Sequence, residues 1–190
     1  MNVQRNSSGP SDAHSEAGRS GRKILSTNLT AILKALDWNT PRFKERCGYS
    51  SPFLMGVTRG EQNPSLDAVY VLAISLGLLP HNLLDPTFKV PDVHALLNGM
   101  LVYSNDDVAR LRERVKVNGS PSRSHLAHHL KHLMAQRGLT TTMLFEGSEV
   151  AASTINKCLK GDQNVTLDTL ESIAQFIGVA PFYLLLPPQE

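Results

Sequence analysis

From Ile24 onward the chain is written in short helical phrases. Leu25, Leu29, Ile32, Leu33 and Leu36 recur at three- and four-residue intervals, so one helix would carry them on a single face. Glycine, proline and small polar residues then break the apolar runs at short, regular distances. Sustained strand-like alternation appears nowhere. The pattern predicts an all-α fold.

The phrases repeat. Sliding the chain by about 101 residues lays 25–86 on 126–187 without a gap. Gly60-Glu61-Gln62-Asn63 falls on Gly161-Asp162-Gln163-Asn164, and Leu66-Asp67 on Leu167-Asp168. Ala73, Gly77, Pro80, Leu83, Leu84 and Pro86 fall on Ala174, Gly178, Pro181, Leu184, Leu185 and Pro187. About a quarter of the pairs are identical, and chance similarity between helical segments does not keep Gly, Pro and Asn in register. Each copy reads as five short helices. In the second, helix one covers about 126–137 and stops at Gly138, and helix two follows a Thr140 cap. Helix three is Ala152–Lys160 closed by Gly161, helix four is Leu167–Ile177 before Gly178, and helix five begins at Pro181. The first copy repeats this with Asn39 or Thr40, Ser50 or Ser51, and Ser65 as caps.

Four regions follow. Residues 1–23, rich in Ser, Gly, Asn and Arg, bury too little apolar surface to offset ordering and are expected to be a disordered arm. Residues 24–88 and 123–190 are the two copies. Residues 89–122 are a helical linker in which Val108, Leu111 and Val115 form a stripe; it serves as packing on the first copy or as a dimerisation hairpin. Asn118–Ser122 reads as a flexible break.

The net charge of +2 is a weak pointer to nucleic acid. It divides as about +2 for the arm, zero for the first copy, +1 for the linker and −1 for the second copy. No run approaches the ~20 apolar residues of a membrane span, and the first residues lack the apolar stretch of a signal peptide. Cys47 and Cys158 form neither a metal-ligand spacing nor a disulfide framework. A cytoplasmic protein with reduced thiols is expected.

Both copies resemble the Cro/phage-repressor (XRE-like) helix-turn-helix family. The resemblance rests on LTTTMLFEGSEVAASTINKCLKG with its downstream helices in the second copy, and on WNTPRFKERCGYSSPFLMGVTRG with its own in the first. It implies two lambda-repressor-like domains in tandem, in which helix three enters the major groove while helix two crosses the backbone. In the second copy the base-reading positions implied are Ala152, Ser153, Asn156 and Lys157, with Thr154 beside them. Asn can pair bidentately with adenine and Lys can donate to guanine. Thr140, Thr141, Lys160, Gln163 and Asn164 fall at phosphate positions. In the first copy the readers are Ser51, Pro52 and Met55, followed by Gly56, and the phosphate set is Thr40, Arg42, Arg59, Gln62 and Asn63. That face has few long hydrogen-bonding side chains, and an exposed Phe53–Met55 pair is equally suited to a protein partner. The buried Arg–Glu pair of many family members is replaced by Leu33 with Thr58 and by Met134 with Leu159, which leaves no orphaned charge.

His125, His128, His129 and His132 share one helical face at a spacing that could hold Zn²⁺, but no Cys or carboxylate cluster completes a site; a polar, pH-sensitive face is the preferred reading. No phosphate-cradling loop, nucleophile elbow or HExxH pair points to an enzyme or a cofactor. The expectation is therefore a repressor-type transcriptional regulator that binds double-stranded DNA, as a homodimer, and reads it mainly with the second copy. The rival is a helix-turn-helix scaffold used to bind protein, as an antitoxin-like or inhibitor module.

Overall fold

A computed structural model describes residues 10–188. The regular elements of the described residues are all helices, with one isolated antiparallel bridge between Ser65 and Thr166. Eleven α-helices and a closing 3-10 helix follow in chain order. α1 (Pro10–Ala35), α2 (Thr40–Cys47), α3 (Ser51–Thr58), α4 (Leu66–Ser75) and α5 (Pro80–Leu84) make the first half. α6 (Val93–Leu101) and α7 (Asn105–Asn118) connect it to α8 (Pro121–Arg137), α9 (Thr141–Ser148), α10 (Ala152–Lys160), α11 (Leu167–Ile177) and the 3-10 helix Pro181–Leu185.

Local chemistry sets these boundaries. Asn39, Ser50, Ser65 and Thr140 each accept a hydrogen bond from the backbone N–H three residues on, capping α2, α3, α4 and α9. Left-handed residues recur at the same repeat positions whether or not they are glycine. Helix one of each half ends at a positive φ, 52° at Asp37 and 62° at Gly138. Helix two ends likewise, at 73° for Gly48 and 55° for Glu149. The backbone is repeated even where its preferred residue is not.

The halves meet through contacts that occur in mirrored pairs. α1 packs along α11 as α8 packs on α4, and α5 lies against the 3-10 helix. Leu66 N–H donates to Val165 O at 2.9 Å and Leu167 N–H to Pro64 O at 3.0 Å. Asn164 Oδ1 accepts from Asp67 N–H, and Asn63 Oδ1 from Asp168 N–H, at 3.1 and 3.2 Å. Arg22 pairs with Asp168 through two nitrogens, and Arg123 with Asp67 in the same way. In the repeat alignment Arg22 corresponds to Arg123 and Asp67 to Asp168. One continuous apolar cluster takes in Leu25, Leu29, Phe43, Leu54 and Leu72 together with Leu126, Leu130, Leu144, Ile155 and Leu170.

Two expectations change, and one open alternative closes. Gly21, Arg22 and Lys23 belong to α1 rather than to a disordered arm; residues 1–9 lie outside the described residues. Arg22 is held by Asp168, and Gly21 N–H donates to Glu171 Oε2 at 2.7 Å. A count of apolar residues does not register such polar anchors. The break at 118–122 is instead a fixed corner, because Ser120 N–H donates to the buried Asp67 carboxylate at 3.0 Å. The Val108–Leu111–Val115 stripe is covered by Val71 and Ile74 of α4, so α7 serves as packing on the first half. α6 is anchored by Leu96 and Met100, but leaves Leu97, Leu101 and Val102 exposed.

Candidate nucleic-acid interface

α10 is amphipathic in a way that fixes its orientation. Ile155 and Cys158 are buried, 0% and 1% exposed, and Leu159 packs against the same core. Ala152, Ser153, Asn156 and Lys157 therefore stand outward, with Lys160 at the end of the helix; all five are exposed, while Thr154 is half-buried. Gly161 (φ 79°) terminates the helix and returns its N–H to Cys158 O. No side chain caps the start at Ala151, whereas α3 is capped by Ser50. The helix is thus pinned by its inner residues and presents a short row of polar groups.

Of the phosphate positions, Thr140 is exposed and caps α9, and Thr141 is half-buried in its first turn. Gln163 is half-buried. Asn164 is committed elsewhere: its Oδ1 accepts from Asp67 N–H and its Nδ2 donates to Ser65 Oγ at 3.1 Å. Asn63 occupies the mirrored place against Asp168 N–H. The resemblance puts both at phosphates; the structure turns them to the contact between halves, because two loops meeting head-on must satisfy each other's helix starts.

The equivalent face of α3 differs in chemistry. Leu54 and Val57 are buried as Ile155 and Cys158 are. Outside stand Pro52 and Met55, with Ser51 half-buried and Gly56 buried. The Phe53–Met55 pair expected as a protein contact is not formed at the surface: Phe53 is half-buried against the core and stacks obliquely on Tyr49, ring centroids 4.9 Å apart. Arg42 is exposed and lies 5.1 Å over the Trp38 ring. Thr40 is half-buried, while Arg59 and Gln62 are exposed.

The histidine row of α8 separates into two kinds. His129 is buried with Nε2 2.9 Å from Leu186 O, and His125 Nδ1 is 3.2 Å from Leu185 O. A carbonyl can only accept, so those nitrogens carry protons and tether the chain's last turn. His128 and His132 stack outside, with centroids 6.5 Å apart. Among the described residues no group of three or more His, Cys, Asp or Glu is placed to hold a metal. Cys47 and Cys158 are buried free thiols whose pKa is pushed up to about 11 by burial, which makes them small core residues rather than nucleophiles.

Sequence reasoning missed Arg46, the buried guanidinium of α2. It donates to Ser75 O, Met100 O and Asn105 Oδ1, each at 2.9 Å, and so ties α2 to the ends of α4 and α6. Nothing local marks it, because its partners lie 29 to 59 residues away. It missed the Arg22 and Arg123 pairs too, although their duplication at the repeat offset was a usable signal.

Comparison with known proteins adds a family match and a relative to this geometry. Residues 129–184 match the Cro/C1-type HTH DNA-binding domain. An uncharacterized HTH-type transcriptional regulator of Sinorhizobium fredii is 29% identical over 70 residues, 37% of this chain and 91% of that protein. No solved structure matches. Among the described residues no helix is long and apolar enough to cross a membrane. The α8–α11 segment, with its outward polar helix three, is therefore the part of the chain that is similar to a Cro/C1-type helix-turn-helix DNA-binding domain.

Proposed function

We propose that this protein is a sequence-specific transcriptional regulator, a repressor, that reads the major groove of double-stranded DNA with α10. The observation that carries the reading is the outward row Ser153, Asn156 and Lys157 on a helix whose opposite side is locked by Ile155 and Cys158. Asn156 offers the paired donor and acceptor that adenine requires, and Lys157 a donor for guanine. Thr140, Thr141, Lys160 and Gln163 flank them as phosphate contacts. The Sinorhizobium relative, itself named a transcriptional regulator, supports the class.

The first half is, in this reading, a second helix-turn-helix unit. Its elements fall at the repeat positions, and α3 is held by a buried pair, Leu54 and Val57, at the same places as Ile155 and Cys158 of α10. The chain works in the cytoplasm without cofactor or catalysis. Selection of bound sites from random DNA tests the reading. Wild type should enrich a motif, and Asn156→Ala/Lys157→Ala should lose it. Equal enrichment by both proteins would remove α10 as the reader. Binding should weaken steeply between about 50 and 200 mM salt, as counterions reassociate with freed phosphates; a salt-insensitive apolar contact would favour the protein-binding alternative.

A further inference from the structure

We infer that one chain acts as its own dimer on DNA, its two halves straddling a single operator of two unequal half-sites: one read at the bases by α10, the other held at the backbone beside α3. This rests on the DNA-binding reading above and goes beyond it in stoichiometry and operator design.

A twofold axis leaves a signature that no accidental packing shares: each contact occurs twice with its partners exchanged. Here Leu66–Val165 is answered by Leu167–Pro64, Asp67–Asn164 by Asp168–Asn63, and Arg22–Asp168 by Arg123–Asp67. The Ser65–Thr166 bridge pairs two equivalent residues, which places it on the axis. α3 and α10 are thereby equivalent helices on either side of that axis. One cleft is lined by Ser50 and Phe53 of the first half with Ser65 on the axis and Asn164 of the second, so the start of α3 borders it directly. Regulators of this geometry ordinarily recruit a second subunit to present the second helix three. This chain carries both, fixed by a shared core, so the orientation is set before DNA is met.

The symmetry of the backbone is not carried into the side chains. Where α10 shows Ser153, Asn156 and Lys157, α3 shows Pro52 without an N–H, Met55 without a strong donor, and Gly56 without a side chain. Exposed Arg42, Arg59 and Gln62 remain beside α3, and these suit phosphate rather than base edges. Two backbone-equivalent helices with one reading face define a non-palindromic operator.

The test uses the full chain and a duplex selected by it from random DNA. Sedimentation should give one chain per duplex. Phosphate-ethylation interference should mark two patches about one helical turn apart, with base substitution costly under one patch only. Arg22→Asp should weaken binding to this duplex at least fivefold, yet leave binding to a duplex cut down to the α10 half-site unchanged. Arg22→Asp/Asp168→Arg should restore it, since only two-site binding depends on the fixed pairing of halves. Two chains per duplex, a palindromic motif, or equal losses on both duplexes would overturn the inference and leave the DNA-binding reading standing. Failure to enrich any duplex would remove both.

Discussion

α3 and α10 share a backbone and part company at the surface. Each is an eight- or nine-residue helix closed near a glycine, with its second-turn aliphatic residue, Leu54 or Ile155, fully inside. One shows proline and methionine outward and the other serine, asparagine and lysine. What the two retain in common is what holds a helix in place. What they do not retain is what a helix could say to a partner. The difference separates folding from recognition within one molecule.

The widest expected gap between the halves is in binding. On the proposed reading, Asn156→Ala/Lys157→Ala removes two base contacts of ~1–3 kcal/mol each, so the specific complex should weaken about 30-fold or more, while Met55→Ala leaves base preference unchanged. Competition binding against unselected DNA measures both. Equal effects would erase the contrast.

Inside, the halves should behave alike. Leu54→Ala and Ile155→Ala each empty a buried aliphatic site and should cost about 2–5 kcal/mol in urea unfolding. Because the apolar cluster is continuous, each should shift one common transition rather than melt its own half. Two separated transitions would show that the halves fold independently.

A smaller asymmetry lies at the end of the contact between halves, where His81 of α5 stands in the repeat place of Phe182. Burial holds the His81 and His125 imidazoles below their ordinary value of 6.5; Asp85 opposes this at His81, and His129 and His128 add to it at His125. Between the lowered folded value and the ordinary one, the unfolded chain binds more protons than the folded chain. Stability is therefore full above that ordinary value and is lost as pH falls below it. The melting temperature should drop between about pH 7.5 and 5.5, and His81→Phe should shrink the drop. An unchanged pH profile in the variant would free His81 from this role.

The smallest effect concerns the turn after helix one. Asp37 holds φ 52° where Gly138 holds 62°. Asp37→Gly should relieve left-handed strain and stabilise by about 0.5 kcal/mol, net of glycine's greater unfolded freedom. Thermal unfolding would detect it, and a loss of stability would show that the aspartate is favoured there.

How much was legible follows the range of each interaction. Ala152–Lys160 and Leu167–Ile177 could be bounded from their apolar spacing and the glycines after them, and the structure places them at those limits. The outward row of α10 was legible too, since burying Ile155 and Cys158 leaves Asn156 and Lys157 outside. Asn63 and Asn164 were not: the same repeat places suit a phosphate or a neighbouring helix start, and only the meeting of the loops decides between them. The early start of α1 was hidden for a related reason, because Gly21 and Arg22 are ordered by Glu171 and Asp168 at the far end of the chain.

By itself the sequence determined two helical copies, their caps and stops, and which residues of each helix face inward, because periodicity and capping act over three or four positions. The tertiary structure alone decided that the copies close on one another about a pseudo-twofold. That closure brings Arg22 to Asp168 and Arg123 to Asp67, across 146 and 56 residues. No local pattern records such distances; they are set when two surfaces with matching shape and opposite charge are brought together by the core beneath them.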